Sequence, residues 1–316
     1  MDKSAKIYVA GHRGLTGSAI TNRLQQTGHD RLLLRTHSEL DLIDQSAVNL
    51  FFAEERPDYV FLCAAKVGGI LANSTYPGDF IRENLLIQTN VIDAAYRNGT
   101  TKLLFLGSSC IYPRDSSQPM KEEYLLSGSL EPTNEAYAVA KIAGISLCQS
   151  YRRQYGFRSI SLMPTNLYGP RDNFDLQSSH VLAALIRKFH DAVVSNAKEV
   201  VIWGTGTPLR EFLFIEDLAD AALFLMDGYD DEAIINVGVG DDLSVQELAL
   251  LVQDISGFTG DIRNDLTKPD GMPRKLMDIT KLHSAGWRAK TDLRSGIEQT
   301  YRWYAEQQSS AGAITG

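Results

Sequence analysis

The sequence has few of the residues that would tie a chain to itself, to a metal or to a membrane. Only three of its 316 residues are cysteines, Cys63, Cys110 and Cys148. The number is odd and the spacing is not that of a zinc site, so neither a disulfide scaffold nor a structural metal is expected. Cysteine usage of this kind suits a reducing, cytoplasmic setting. No apolar run approaches the roughly 20 residues of a membrane span, so no membrane partner is expected. The opening MDKSAKIYVAGHRG lacks the charged and apolar regions of a secretory signal. Basic residues are outnumbered, 31 against 39, which leaves a net charge of −8. A duplex nucleic-acid binder usually carries a basic face, so nucleic acid is not expected either. A local basic pocket for a phosphate-bearing ligand stays open. There is no internal repeat and no low-complexity linker. The small, polar tail QQSSAGAITG is expected to fray.

What remains is an ordinary globular composition, 44% hydrophobic and 22% charged. The length suffices for two modest domains or one large one, and for a core that needs no staples. Short apolar runs alternate with amphipathic stretches through the first half. KIYVA (6–10), RLLL (31–34), DYVFLC (58–63), KLLFLG (102–107) and SISLM (159–163) read as strands. Their apolar residues are nearly continuous, as expected for strands buried on both faces. Helical patterns lie around 15–27, 44–55, 79–97 and 135–154. The βαβ rhythm predicts an α/β fold, a Rossmann-type doubly wound parallel sheet.

After Pro164 the rhythm changes. PTNLYGPRDNF is rich in turn residues. A helix near 180–194, strands near 200–202 and 212–215, a helix in IEDLADAALFLMD and a strand in AIINVG follow. SVQELALLVQDISG offers a serine N-cap with a glutamine two positions later and a glycine stop. DLRSGIEQTYRWYAEQ is a last amphipathic helix. The expected division is a coenzyme-binding domain over 1–165, to which 216–238 returns, and a smaller α/β substrate-binding lobe over 166–215 and 239–316.

Two motifs carry chemistry. VAGHRGLTGSAI places Gly11, Gly14 and Gly17 between the first strand and the first helix. Glycines there let the backbone approach a pyrophosphate, and the helix N-terminus supplies N–H donors, so a dinucleotide is expected. No carboxylate directly follows the second strand. Arg35 and His37 stand there and Arg13 lies inside the glycine loop, which favours NADP over NAD. Asp41 is assigned to the adenine side.

In EAYAVAK, Tyr137 and Lys141 stand four positions apart and so share one helix face. An ammonium beside a phenol is expected to lower the tyrosine pKa, as a general acid near neutral pH requires. The spacing alone is common on helices. It gains force from Ser108, at the carboxyl end of the fourth strand in LLFLGSSCIYP, the edge where parallel sheets bind ligands.

With these pieces in place, the chain resembles the extended short-chain dehydrogenase/reductases and, within them, the GDP-L-fucose synthase family. The resemblance runs nearly end to end, through AGHRGLTGSAI, AAKVGGI, FLGSSCIYP, EPTNEAYAVAKIAG, MPTNLYGP, WGTGTPLREF and KPDGMPRKLMD. It implies 3,5-epimerisation and NADPH-dependent 4-reduction of GDP-4-keto-6-deoxy-D-mannose. Ser108 and Tyr137 would hold the 4-keto oxygen, with Tyr137 the proton donor. Lys141 would bind the nicotinamide ribose, and Cys110 and His180 would be the epimerisation pair. Coenzyme contacts would run through Gly11, His12, Arg13, Gly14, Leu15, Thr16 and Gly17, then Arg35, His37, Asp41 and Leu42. They would continue at Leu106, Gly107 and Ser109, at Pro164, Thr165, Asn166 and Leu167, and at Lys141 and His180. The GDP-sugar would meet Ser108, Ser109, Cys110, Asn166, Lys188, Trp203, Arg210 and Lys275.

The family pattern is not complete here. Asp175 stands where a histidine is frequent, FLFI replaces FLHV at 212–215, and His37 replaces an arginine of one bacterial type. The helices at 79–97 and 135–154 resemble those that pair in dimers of the superfamily, so a homodimer is expected. Neighbouring readings stay open: a related enzyme acting on a 3,6-dideoxy sugar or a GDP-heptose, a 4-epimerase with tightly held NAD, or a non-catalytic NADPH-binding regulator.

Overall fold

The computed structural model describes residues 1–268 and 270–314. The chain opens with β1 (Ile7–Ala10), α1 (Leu15–Gln26), β2 (Leu32–Leu33), α2 (Gln45–Glu55) and β3 (Tyr59–Leu62). It continues through α3 (Ile70–Thr75), α4 (Pro77–Arg97), β4 (Lys102–Leu106), α5 (Glu135–Tyr155) and β5 (Ser159–Pro164). Then come β6 (Asn166–Tyr168), α6 (Val181–Val194), β7 (Glu199–Trp203), β8 (Leu209–Arg210), β9 (Phe212–Phe214), α7 (Ile215–Gly228) and β10 (Ile235–Val237). β11 (Leu243–Ser244), α8 (Val245–Ser256), β12 (Asp261–Asp265), β13 (Arg274–Lys275), α9 (Thr280–Ser284) and α10 (Leu293–Ile314) complete it.

Six strands form one sheet in the order β10-β5-β4-β3-β1-β2, parallel throughout. Chain order reverses between β1 and β3, which opens a crevice at the carboxyl edge. The strands are buried on both faces, as the continuous apolar runs imply, except edge strand β2, where RLLL yields only two half-buried residues. Tyr8 and Ala10 of β1 enter one core, Ile7 and Val9 the other. Leu103 and Phe105 of β4 divide from Leu104 and Leu106 in the same way. One core lies under α2, α4 and α5 and the other under α1 and α7. β10 pairs with β5, so residues after the first crossover do return to the sheet.

A third core, built on Leu185, Ile186 and Phe189 of α6 with Leu248 and Val252 of α8, carries the remainder. Its strands are short and sit in three small sheets, β11-β8-β13, β12-β7 and β6-β9. Ser244 does cap α8, but its partner is Glu247 three positions on, not the glutamine two positions on. At that spacing the carboxylate reaches back to the cap's own N–H. Gly257 ends the helix in the left-handed region, at φ 74°. The tail expected to fray instead prolongs α10 as far as Ile314. Thr315 and Gly316, the rest of that tail, lie outside the described residues. Among the described residues no helix is long and apolar enough to cross a membrane.

Candidate active site

A cleft of about 900 Å³ runs along the carboxyl edge of the six-stranded sheet and into the third core's face. Every residue the sequence singled out for coenzyme, chemistry or sugar lines it, except His12 and Arg13. Arg13 is exposed.

The glycine turn is built for close approach. Gly11 has φ +83°, and a Cβ there would sit 2.9 Å from the Ala64 backbone. A Cβ on Gly17 would strike the Gly11 carbonyl, which is how α1 comes close to β1. Gly14, the N-cap of α1, has no side chain to cap that helix end. Its first-turn N–H groups therefore face the cleft, so the residues present fit a dinucleotide's diphosphate. Further along, Arg35 donates to Glu55 at 2.9 Å and lies 5.5 Å from the Phe51 ring centroid. His37 is 82% exposed, 3.7 Å from Asp41, and open to a ligand phosphate.

At the centre of the cleft, Ser108 caps the short turn after β4, and its hydroxyl accepts from the Cys110 N–H at 3.2 Å. Tyr137 and Lys141 share the cleft-facing side of α5. The electrostatics differ from the sequence expectation. Burial pushes the Tyr137 phenol far up, the neighbouring Cys110 adds to the rise, and Ser108 opposes it. Lys141 does not lower it. Its ammonium donates to the Leu106 carbonyl at 2.7 Å and lies 5.8 Å from the Tyr137 ring centroid. Burial moreover lowers Lys141 itself to about 8. The phenol therefore keeps its proton across the physiological range, as a donor must.

Cys110 is flanked by two donors. Asn134 Nδ2 and Lys275 Nζ each lie 3.4 Å from its sulfur. The sequence reading does not include the first, whose signal is an amide at the N-cap of the helix that carries Tyr137. The second was assigned to the nucleotide-sugar side, yet β13 brings it beside the thiol. His180, at the N-cap of α6, opens onto the cleft solvent. The surrounding walls, and secondly Lys275, hold its imidazole below the ordinary histidine range.

On the far side, Arg210 donates to the Leu209 carbonyl at 2.8 Å and faces Asp270. Lys188 donates to the Val201 carbonyl at 2.8 Å and lies 5.7 Å from the Trp203 ring centroid. Asn166 is fixed by a 2.7 Å bond to the Glu211 carbonyl. Among the described residues no cluster of side chains could hold a metal ion. The arrangement pairs a proton donor and a hydroxyl with a thiol and an imidazole, beside guanidinium and ammonium groups suited to phosphates.

Residues 7–238 match the model of the NAD dependent epimerase/dehydratase family. The chain belongs to that family. It is 61% identical over 303 residues to GDP-L-fucose synthase 1 of Arabidopsis thaliana, covering 96% of this chain and 94% of that one. Among solved structures it is similar to a GDP-6-OMe-4-keto-L-xylo-heptose reductase from C. jejuni. That match has 41% identity and a TM-score of 0.93, over 97% of this chain and 99% of the other. It is also similar to a GDP-L-fucose synthetase from Naegleria fowleri bound to NADP. There the identity is 29% and the TM-score 0.91, over 98% and 96% of the two chains. The resemblance read from the sequence and the Rossmann-type sheet are both borne out.

Proposed function

We propose that this enzyme converts GDP-4-keto-6-deoxy-D-mannose to GDP-L-fucose by 3,5-epimerisation followed by NADPH-dependent 4-reduction. The observation that carries the reading is the gathering of Ser108, Tyr137, Lys141, Cys110 and His180 in one cleft. C3 and C5 of the sugar both flank the ketone, so loss of either proton places an enolate on the same oxygen. Ser108 and Tyr137 grip that oxygen. Cys110, as the thiolate, takes the proton, and His180, as the imidazolium, returns one to the opposite face. The C–H bond breaks to sulfur, the electron pair moves to oxygen, and reprotonation at carbon inverts the centre.

When bound, the coenzyme supplies hydride to C4. Tyr137 supplies the matching proton to the oxygen, and Lys141 holds the ribose. Arg35 and His37 favour the 2′-phosphate of NADPH. Lys188, Arg210 and Trp203 take the GDP side. Residues 1–165 with 216–238 form the coenzyme domain, and 166–215 with 239–316 the nucleotide-sugar lobe. The enzyme works in the cytoplasm as a homodimer paired through α4 and α5, whose exposed apolar residues include Val139 and Tyr155.

The deciding experiment supplies GDP-4-keto-6-deoxy-D-mannose and NADPH, follows coenzyme oxidation, and identifies the product by NMR. GDP-L-fucose is expected. No NADPH oxidation would place the chain among non-catalytic binders. Turnover only with a GDP-heptose or a 3,6-dideoxy sugar would assign it to those substrates.

A further inference from the structure

The segment Ala64–Ile70, AAKVGGI, has no part in the chemistry above, yet it forms one wall of the cleft. Its apolar residues do not explain its placement. Ala64 packs on the first core, but Val67 is 61% exposed and Ile70 40%, so core packing does not hold the segment beyond its first residue. It is held by two buried asparagines and by Lys66, whose ammonium donates to Glu83 of α4 at 2.7 Å. Asn84 of α4 accepts from the Lys66 N–H and donates to the Lys66 carbonyl, both at 3.0 Å. Asn73 of α3 donates to the Gly68 carbonyl at 2.7 Å and to the Gly69 carbonyl at 3.1 Å.

The stretch so fixed packs closely on the loop that precedes α6. The Gly69 N–H donates to the Ser178 carbonyl at 2.9 Å. Gly69 has φ −68° and ψ −179°, a conformation open to any residue, so its backbone does not demand glycine. Its neighbour does: a Cβ at 69 would lie 2.7 Å from the Ser179 carbonyl oxygen. Ser178 is braced from its own side as well. Asp175 accepts from its N–H and its hydroxyl, and Asn173 donates to that hydroxyl at 2.9 Å. One residue past Ser179 stands His180, facing the cleft that Cys110 and Lys275 share.

We propose that Gly68–Gly69, clamped by Asn73, is a seat for the 173–179 loop that positions His180 for proton transfer at the sugar. Gly69 and Asn73 are positioning residues, not catalytic ones. The proposal rests on the epimerisation role given to His180, and its test separates the two. Gly69→Ala forces the Ser178–Ser179 backbone away without straining residue 69. Asn73→Ala removes both carbonyl contacts and keeps a good helix former in α3.

Two quantities are read in each variant, with His180→Ala alongside. One is solvent-deuterium incorporation at C3 and C5 of GDP-4-keto-6-deoxy-D-mannose. The other is the NMR resonances of the His180 imidazole, assigned by their loss in His180→Ala. Gly69→Ala is expected to melt and bind NADPH like the native protein, to lose at least about tenfold in exchange, and to move the His180 resonances. Asn73→Ala should change both in the same sense and by less. Unmoved His180 resonances in Gly69→Ala overturn the seat, whatever the exchange does. Native exchange in His180→Ala overturns the catalytic reading instead, and the seat then stands or falls on the resonances alone. Should Gly69→Ala fail to fold, unmoved resonances in Asn73→Ala overturn the seat in its place.

Discussion

The half proposed for the coenzyme and the half proposed for the sugar would solve the same problem, holding a charged ligand, with opposite means. The first uses backbone. A six-stranded parallel sheet ends in a glycine turn, and an uncapped helix end faces the diphosphate site. The second uses side chains. Lys188 reaches from helix α6, and Arg210 from β8 in a sheet only three strands wide. A backbone site is fixed by the fold and tolerates most side-chain change. A side-chain site is local, so single substitutions should remove binding to one ligand and spare the other. Between them lie the groups proposed to react, Ser108 and Tyr137 from the first half and Lys275 and His180 from the other, all lining one cleft.

The sharpest way to break that division is at its centre. Tyr137→Phe keeps the ring and its edge-on contact with Phe80 but removes the proton. Loss of a positioned general acid costs on the order of 10²–10⁴ in rate. The reduction rate should fall by about that much while NADPH still binds, as measured by coenzyme oxidation and by a fluorescence titration. Near-native turnover would show that another group protonates the oxygen, and the division of labour would need redrawing.

A smaller effect is expected at Arg210. Among the described residues its guanidinium donates to main-chain carbonyls at 2.8 Å and 3.4 Å, beside the Asp270 carboxylate, and has capacity left for a phosphate. Arg210→Ala should raise the KM for the GDP-sugar about 10- to 100-fold, roughly 1.4 kcal/mol for each factor of ten. The KM for NADPH should hardly move. An equal rise in both would mean that the two halves are not separable and that Arg210 shapes the whole cleft.

The two halves also differ in how far the sequence discloses them. Strands of the first half are legible because burial on both faces leaves a continuous apolar run, as in Val60, Phe61 and Leu62. β8, β11 and β13 are two residues long, with Leu209, Arg210, Leu243 and Lys275 among them. No periodicity is visible at that length, and those strands form only because tertiary contacts align them. The same holds at the site. Tyr137 and Lys141 declare themselves by sharing a helix face. Lys275 sits 165 positions from Cys110, and only the fold shows that its ammonium lies on the sulfur. The tyrosine's electrostatics escape the sequence for a related reason. The i,i+4 spacing gives direction along a helix, but it does not report that the Leu106 carbonyl holds the lysine tip and that burial dominates both groups.

That burial yields the smallest and most specific expectation. Lys141 is lowered to about 8 because its ammonium is buried, with Cys63 opposing the shift. In the free enzyme the group is then mostly ammonium below about pH 8 and mostly amine above it. Tyr137 is shifted upward, so its phenol stays protonated through the same range and cannot cause a loss there. If the ribose is held by the charged form, kcat/KM for NADPH, which reports free-enzyme groups, should fall above about pH 8. The limit is tenfold per pH unit. Lys141→Arg keeps a positive charge at every accessible pH, since a guanidinium does not deprotonate in proteins. Its activity should be lower throughout, because the longer fork does not fit the Leu106 carbonyl in the same way, but the falling limb should vanish. A limb that persists at pH 8 in Lys141→Arg would assign the titration to another group and remove Lys141's charge from the coenzyme half's part in the comparison.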